Sequence, residues 1–203
     1  MVWISKFGFA PLALMFGLNL ILWIFWGFSW IFFILLILTA LLFRTPRRSV
    51  VCEDKKAILA PMDSEILKIE NVKHKDFGEC VQVSFKNALY NAGAIFASSD
   101  FETFDIKARH GLFLSPKFEL ASAFNERLLI IAQKGSQSFG IRLMAGSFDR
   151  KIKLKNEKAS FKAGEELGFS INSSLVLFLP KNVRLLVGVG DEVRANSLIG
   201  YFA

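Results

Sequence analysis

The chain has 203 residues, 53% of them hydrophobic, and a formal net charge of +7. That length holds one compact domain or two small ones, and the hydrophobic fraction is high for a soluble domain of this size. Cys52 and Cys80 lack CxxC spacing and read as packing or lone thiols, not as a disulfide framework or metal site. The basic balance comes without an Arg-rich arm or zinc spacing, which argues against a nucleic-acid partner.

The hydrophobic excess is localised. From Phe7 to Phe43 no residue is charged. As one helix that run would measure about 55 Å, against a hydrocarbon core of about 30 Å. Two short spans fit better, with the break at Trp26-Gly27-Phe28-Ser29, where Gly27 loosens the helix. A re-entrant pair is the competing arrangement. Lys6 precedes the run and Arg44, Arg47 and Arg48 follow it, so the positive-inside tendency places both ends on the cytoplasmic face. A cleaved signal peptide fits poorly, because the apolar run is too long and no small-residue cleavage site precedes the arginines. The sequence thus divides into a membrane-anchoring hairpin, 1–43, and a second domain, 44–203. All 18 acidic residues and 24 of the 25 Lys and Arg lie in the latter, leaving it at +6. A basic domain held at a bilayer is drawn to anionic phospholipid.

Short alternating runs dominate after residue 43. Strands are predicted at Ala57–Leu59, Glu65–Ile69, Cys80–Phe85, Phe101–Ala108, Leu128–Gln133, Phe139–Met144, Leu175–Leu179 and Arg184–Val187, separated by Gly, Asn, Asp or Pro turns. One short helical segment is expected around Pro116 to Asn125. His74, in "VKHKDFG", reads as part of a solvated turn. Near the end, Gly188-Val189-Gly190-Asp191 reads as a tight turn; its GxG opens no helix, and Asp191 and Glu192 disfavour phosphate binding. The expected fold is mostly β, a barrel-sandwich-like domain following the N-terminal transmembrane or re-entrant helical hairpin.

The order of motifs carries more than any one of them. After the hairpin come "LFRTPRR", "ILAPMDSEI", "NER", "RLMAGSFDRKI", "KAGEELGFSINSS", "LFLP" and "VGVGDEV". This succession resembles the short, membrane-anchored form of phosphatidylserine decarboxylase. The runs of that family resemble FFRDPER, SPADGKV, His-Val-Asn-Arg-x-Pro, GxF, NER, AGxxARR, GExxG before a Gly-Ser cleavage site, and YLP.

The resemblance implies a lyase of phospholipid biosynthesis. In such a proenzyme a serine attacks the peptide bond before it, the ester eliminates, and the serine becomes an N-terminal pyruvoyl group. That group then supports conversion of phosphatidylserine to phosphatidylethanolamine and CO2. Serine needs an oriented base, and the family is thought to use an Asp and a His. Asp63 in "PMDS" matches the Asp. An ungapped alignment puts the family His on Gly93, its Arg on Phe96 and its Pro on Ser98, while Gly111, Phe113 and Leu114 fall on the GxF loop. His110 is then the histidine left to reach the site from a neighbouring strand. Counting back from "LFLP" selects Ser173, preceded by Asn172; counting forward from "GEELG" selects Ser174, preceded by Ser173. Either the chain is a self-processed decarboxylase with a pyruvoyl cofactor, or it is a non-catalytic relative that binds phospholipid or a partner at the membrane. No metal is implied, and homo-oligomerisation stays open.

Overall fold

The computed structural model describes residues 4–46, 48–52, 54–115, 118, 120–135, 137–147, 152–155 and 159–203, of which 26, 104, 122 and 153 by backbone alone. The chain divides into two compact units, Met1–Arg47 and Arg48–Ala203.

In the first unit, a single 3-10 turn, Lys6–Gly8, leads into α1, Phe9–Trp26, and α2 follows at Trp30–Leu42. The predicted break is found. Gly27 adopts φ 82°, a left-handed conformation that favours glycine, and its N–H donates to the Trp23 carbonyl as α1 ends. The Ser5 N–H donates to the Phe43 carbonyl at 2.9 Å, which brings the two ends of the hairpin together. Gly8 packs on Phe43 so closely that a Cβ would lie 2.5 Å from the Phe43 Cβ. The stretch Lys6–Phe25 is long and apolar enough to cross a membrane. The 13 residues of α2 rise only about 20 Å, short of a full crossing.

The second unit is mostly β. Its strands are β1 Ala57–Leu59, β2 Ser64–His74, β3 Gly78–Lys86, β4 Ala94–Phe96, β5 Phe101–Arg109, β6 Arg127–Lys134 and β7 Gln137–Met144. Then follow β8 Lys153–Leu154, β9 Ser160–Phe161, β10 Glu166–Phe169, β11 Ser174–Pro180, β12 Arg184–Leu185, β13 Glu192–Val193 and β14 Leu198–Tyr201. An eight-stranded antiparallel sheet runs β13-β2-β3-β11-β7-β6-β5-β9, with three-stranded sheets β1-β14-β12 and β4-β10-β8 beside it. β11 lies mid-sheet, with Leu177 paired to Val83 on one side and Ile141 on the other.

Alternation along these strands sends Phe85, Phe139, Ile141, Leu175 and Leu177 into one core, all fully buried. Full burial of such a side chain contributes about 1.5–3 kcal/mol. On the other face of the sheet, Val176, Phe178 and Cys80 form a smaller cluster. There His74 departs from its expected solvated turn. Its ring stacks on Phe77 at 4.9 Å and lies 4.5 Å from Phe178. Burial lowers its pKa below the usual imidazole value, Arg142 and Lys107 lower it further, and Asp76 opposes them. Burial also raises the pKa of the Cys80 thiol, as befits a packed cysteine.

The predicted helix around Pro116 to Asn125 is only Ala121–Phe124; residues 116, 117 and 119 lie outside the described residues. The tail turn behaves as expected. Gly190 has φ 90°, and the Asp191 carboxylate accepts from the Gly188 N–H at 2.7 Å, so this carboxylate caps its own turn.

Candidate functional site

The turn between β10 and β11 ends on Ser173, and Ser174 opens β11. Asn172 has φ 50°, a left-handed backbone that costs a non-glycine residue about 1–2 kcal/mol. Its side-chain amide donates to Ser147 Oγ at 2.8 Å and Ser115 Oγ at 3.3 Å. The next residue, Ser173, is 1% exposed, and its Oγ has no hydrogen-bond partner among the described residues. A buried hydroxyl left unpaired costs about 1–3 kcal/mol. Ser174 differs. It is the first residue of β11, in register with Lys86 and Met144, and half-buried.

The peptide before Ser173 is closely backed. A Cβ on Gly146 would lie 2.0 Å from the Ile171 carbonyl oxygen, 2.3 Å from that of Asn172 and 2.6 Å from the Asn172 carbonyl carbon. Only glycine lets this chain pass. Asn125 fixes the approach: its amide donates to the Ala145 and Leu114 carbonyls, each at 2.8 Å, while its Oδ1 accepts from the Leu114 N–H. The "NER" and "AG" runs therefore clamp the backbone against the Asn172 carbonyl. Glu126 serves the same frame, accepting from the Ile152 N–H at 2.8 Å.

Asp63 is buried just before β2. Its Oδ2 accepts from Arg48 at 2.7 Å and its Oδ1 from the Ala195 N–H at 2.8 Å. Asn87 joins this residue to the serine turn. The Asn87 main-chain N–H donates to the Ser173 carbonyl at 2.9 Å. Its side-chain amide donates to the Asp63 carbonyl at 2.8 Å and the Ala92 carbonyl at 2.9 Å. Asp63 and Ser173 are thus brought onto one framework, though no direct hydrogen bond joins their side chains among the described residues.

Gly93 lies against the same turn. The Ser170 N–H donates to its carbonyl at 2.9 Å. A Cβ there would meet the Ser170 carbonyl oxygen at 2.6 Å and the Phe169 ring at 2.9 Å. His110 stands apart: its side chain is 86% exposed and its Nδ1 lies 3.4 Å from Glu126 Oε2. Among the described residues no hydrogen bond links it to Ser173, Ser174 or Asp63, and no cluster of His, Cys, Asp and Glu able to hold a metal occurs.

Sequence reasoning missed Arg48 and Asn87. "LFRTPRR" pointed to the arginine run without its partner. Asn87, at the end of the alternating "VQVSFK", carried no signal beyond ending a strand.

Comparison with known proteins decides the family. A family model for phosphatidylserine decarboxylase matches residues 35–201. The chain belongs to the phosphatidylserine decarboxylase family. It is 30% identical to a phosphatidylserine decarboxylase proenzyme of Syntrophus aciditrophicus (strain SB), across 95% of this chain and 94% of that one. Proenzymes of the same description from Burkholderia mallei (strain SAVP1) and Paraburkholderia phytofirmans are each 28% identical, over 85% of this chain and 82% and 83% of theirs. No solved structure matches. Membership in this family sets the chain within phospholipid metabolism.

Proposed function

We propose that this family member is a membrane-anchored proenzyme that cuts itself between Asn172 and Ser173 and then decarboxylates phosphatidylserine. The observation that carries the reading is the buried, unpartnered Ser173 hydroxyl directly after a left-handed Asn172. A buried polar atom without a partner needs an explanation, and a nucleophile poised on the preceding carbonyl supplies one. The residues fit a pyruvoyl group at position 173, since Ser173 provides its atoms and the turn shields it. Such a group supplies the electron sink that decarboxylation of an amino acid headgroup requires.

Ser173 Oγ bonds to the Asn172 carbonyl carbon, its proton passing to the departing Ser173 nitrogen, and the peptide becomes an ester. Loss of the Ser173 α-proton expels the Asn172 carboxylate and leaves a dehydroalanine. Addition of water to that residue releases ammonia and leaves the ketone. Gly146 holds the Asn172 carbonyl in place, Asn87 holds the Ser173 carbonyl, and the Asp63–Arg48 pair anchors the neighbouring segment. Without an imidazole in the turn, self-cleavage is slow, by about 10²–10⁴-fold relative to a site with a positioned acid–base group. The cations at the two joined ends of the hairpin, Lys6 and Arg44, support a cytoplasmic placement of the β unit.

A second reading, an intact relative that binds phospholipid without chemistry, is favoured by one observation. The Phe169 ring and the Ser170 carbonyl close the space beside Gly93, so no side chain can enter the turn from there. The two readings separate in an assay of CO2 release from phosphatidylserine vesicles. The proposal expects turnover by the wild-type chain, retention in Ser174→Ala and loss in Ser173→Ala. Equal, background release from all three chains would overturn it.

A further inference from the structure

Exposed apolar side chains gather beside the serine turn. Leu112, Phe118, Leu120 and Phe124 are 54%, 63%, 62% and 55% exposed. Within this run Ser115 accepts from the Asn172 amide, which ties it to the turn. Across the turn, the Asn87–Asn91 segment that holds Ser173 and Asp63 presents Leu89, 42% exposed. Single exposed hydrophobics need no explanation, but several beside one turn mark an interaction surface.

Charge identifies the occupant. Arg109 and Arg127 face each other directly across β5 and β6, immediately before and after this run. Like charges opposite each other are unfavourable, and neither has an ion-pair partner among the described residues. Large apolar side chains flanked by unpaired arginines match an anionic bilayer, which takes the former among its acyl chains and the latter at its headgroups.

We propose that Leu112, Phe118, Leu120 and Phe124 form a wedge that enters an anionic lipid bilayer, with Arg109 and Arg127 on its headgroups. The wedge seats the serine turn against the membrane, which brings lipid headgroups close to Ser173. The purpose of the wedge rests on the phosphatidylserine reading; its insertion does not.

The test uses the full chain with Ser173→Ala, Cys52→Ser and Cys80→Ser, so that neither cleavage nor native thiols intervene. An environment-sensitive fluorophore is attached at Phe118→Cys and, in a second protein, at Leu120→Cys. A control carries it at Lys181→Cys, at the far end of β11. Each is reconstituted into phosphatidylcholine vesicles with and without phosphatidylserine. The expected result is a blue-shifted emission at 118 and 120, quenched by brominated acyl chains and most strongly with phosphatidylserine, while 181 reports water. Arg109→Glu with Arg127→Glu is expected to remove the phosphatidylserine dependence. Emission at 118 and 120 that is quenched by aqueous iodide as readily as at 181 would overturn the proposal. So would a blue shift that grows with protein concentration in detergent alone, which would assign the surface to a second copy of the chain. Because the tested chain cannot form a pyruvoyl group, absence of decarboxylase activity leaves this readout unchanged.

Discussion

The Asn172–Ser173 turn and the Gly93 segment touch each other and are built in opposite ways. At the turn, the backbone is left-handed and a buried hydroxyl is unpaired. At Gly93, backbone and ring are packed to contact. The first stores unfavourable energy and the second leaves no room for another functional group. Together they describe a buried serine hydroxyl held beside a segment that is closed to any further side chain.

The largest expected effect comes from removing the nucleophile. Ser173→Ala is expected to abolish chain cleavage on a denaturing gel, while Ser174→Ala leaves the cleavage site unchanged. Next comes filling the closed side. Gly93→His forces a Cβ against the Ser170 carbonyl and the Phe169 ring, an overpacking that costs about 1–3 kcal/mol. Denaturant unfolding is expected to show that loss with no gain in cleavage rate; a faster-cleaving, equally stable variant would break the contrast. Arg48→Ala leaves the buried Asp63 carboxylate with one fewer donor and is expected to cost about 1–3 kcal/mol by the same measurement. Asn172→Gly relieves the left-handed backbone but gives up the bonds to Ser147 and Ser115, so the net change is expected within about 1 kcal/mol.

The smallest effect lies on the opposite face of the sheet. His74 has a lowered pKa in the fold, so the unfolded chain binds more protons as pH falls through the ordinary imidazole range. Its neutral form contributes stability that is present above that range and is lost below it. Thermal unfolding is expected to show a slightly lower midpoint at pH 5 than at pH 7, and His74→Phe to flatten that difference.

Much of the fold was legible because buried antiparallel strands alternate. "VQVSF" and "LVLFL" gave β3 and β11 to within two residues. β2 runs past the predicted Ile69, because none of Glu70 to His74 is buried and the strand shows no apolar alternation there. β4 and β10 were missed: "AIF" and "ELGF" are too short to show a period, and their pairing partners are far apart in sequence. His74 was misjudged because its charged neighbours, Lys73 and Lys75, hid an aromatic stack that forms only when the β2–β3 hairpin folds over Phe178.

The site was legible as an order of motifs and not as a geometry. "NER" and "AG" could be quoted, but their work, clamping backbone against Asn172, depends on Asn125 reaching Ala145, twenty residues on. Arg48 and Asn87 act through hydrogen bonds between distant segments, which leave no periodic trace. The choice between Ser173 and Ser174 could not be made by counting, because the loop between the two flanking motifs differs in length by the count from each side. The two differ in burial, Ser173 being buried and Ser174 half-buried.

The most direct measurement is the intact mass of the purified full-length chain, followed after expression and on prolonged incubation. The account predicts slow conversion into two fragments, the smaller beginning at position 173 with a blocked, carbonyl-reactive terminus. A single, unchanging species at 22.8 kDa would contradict it.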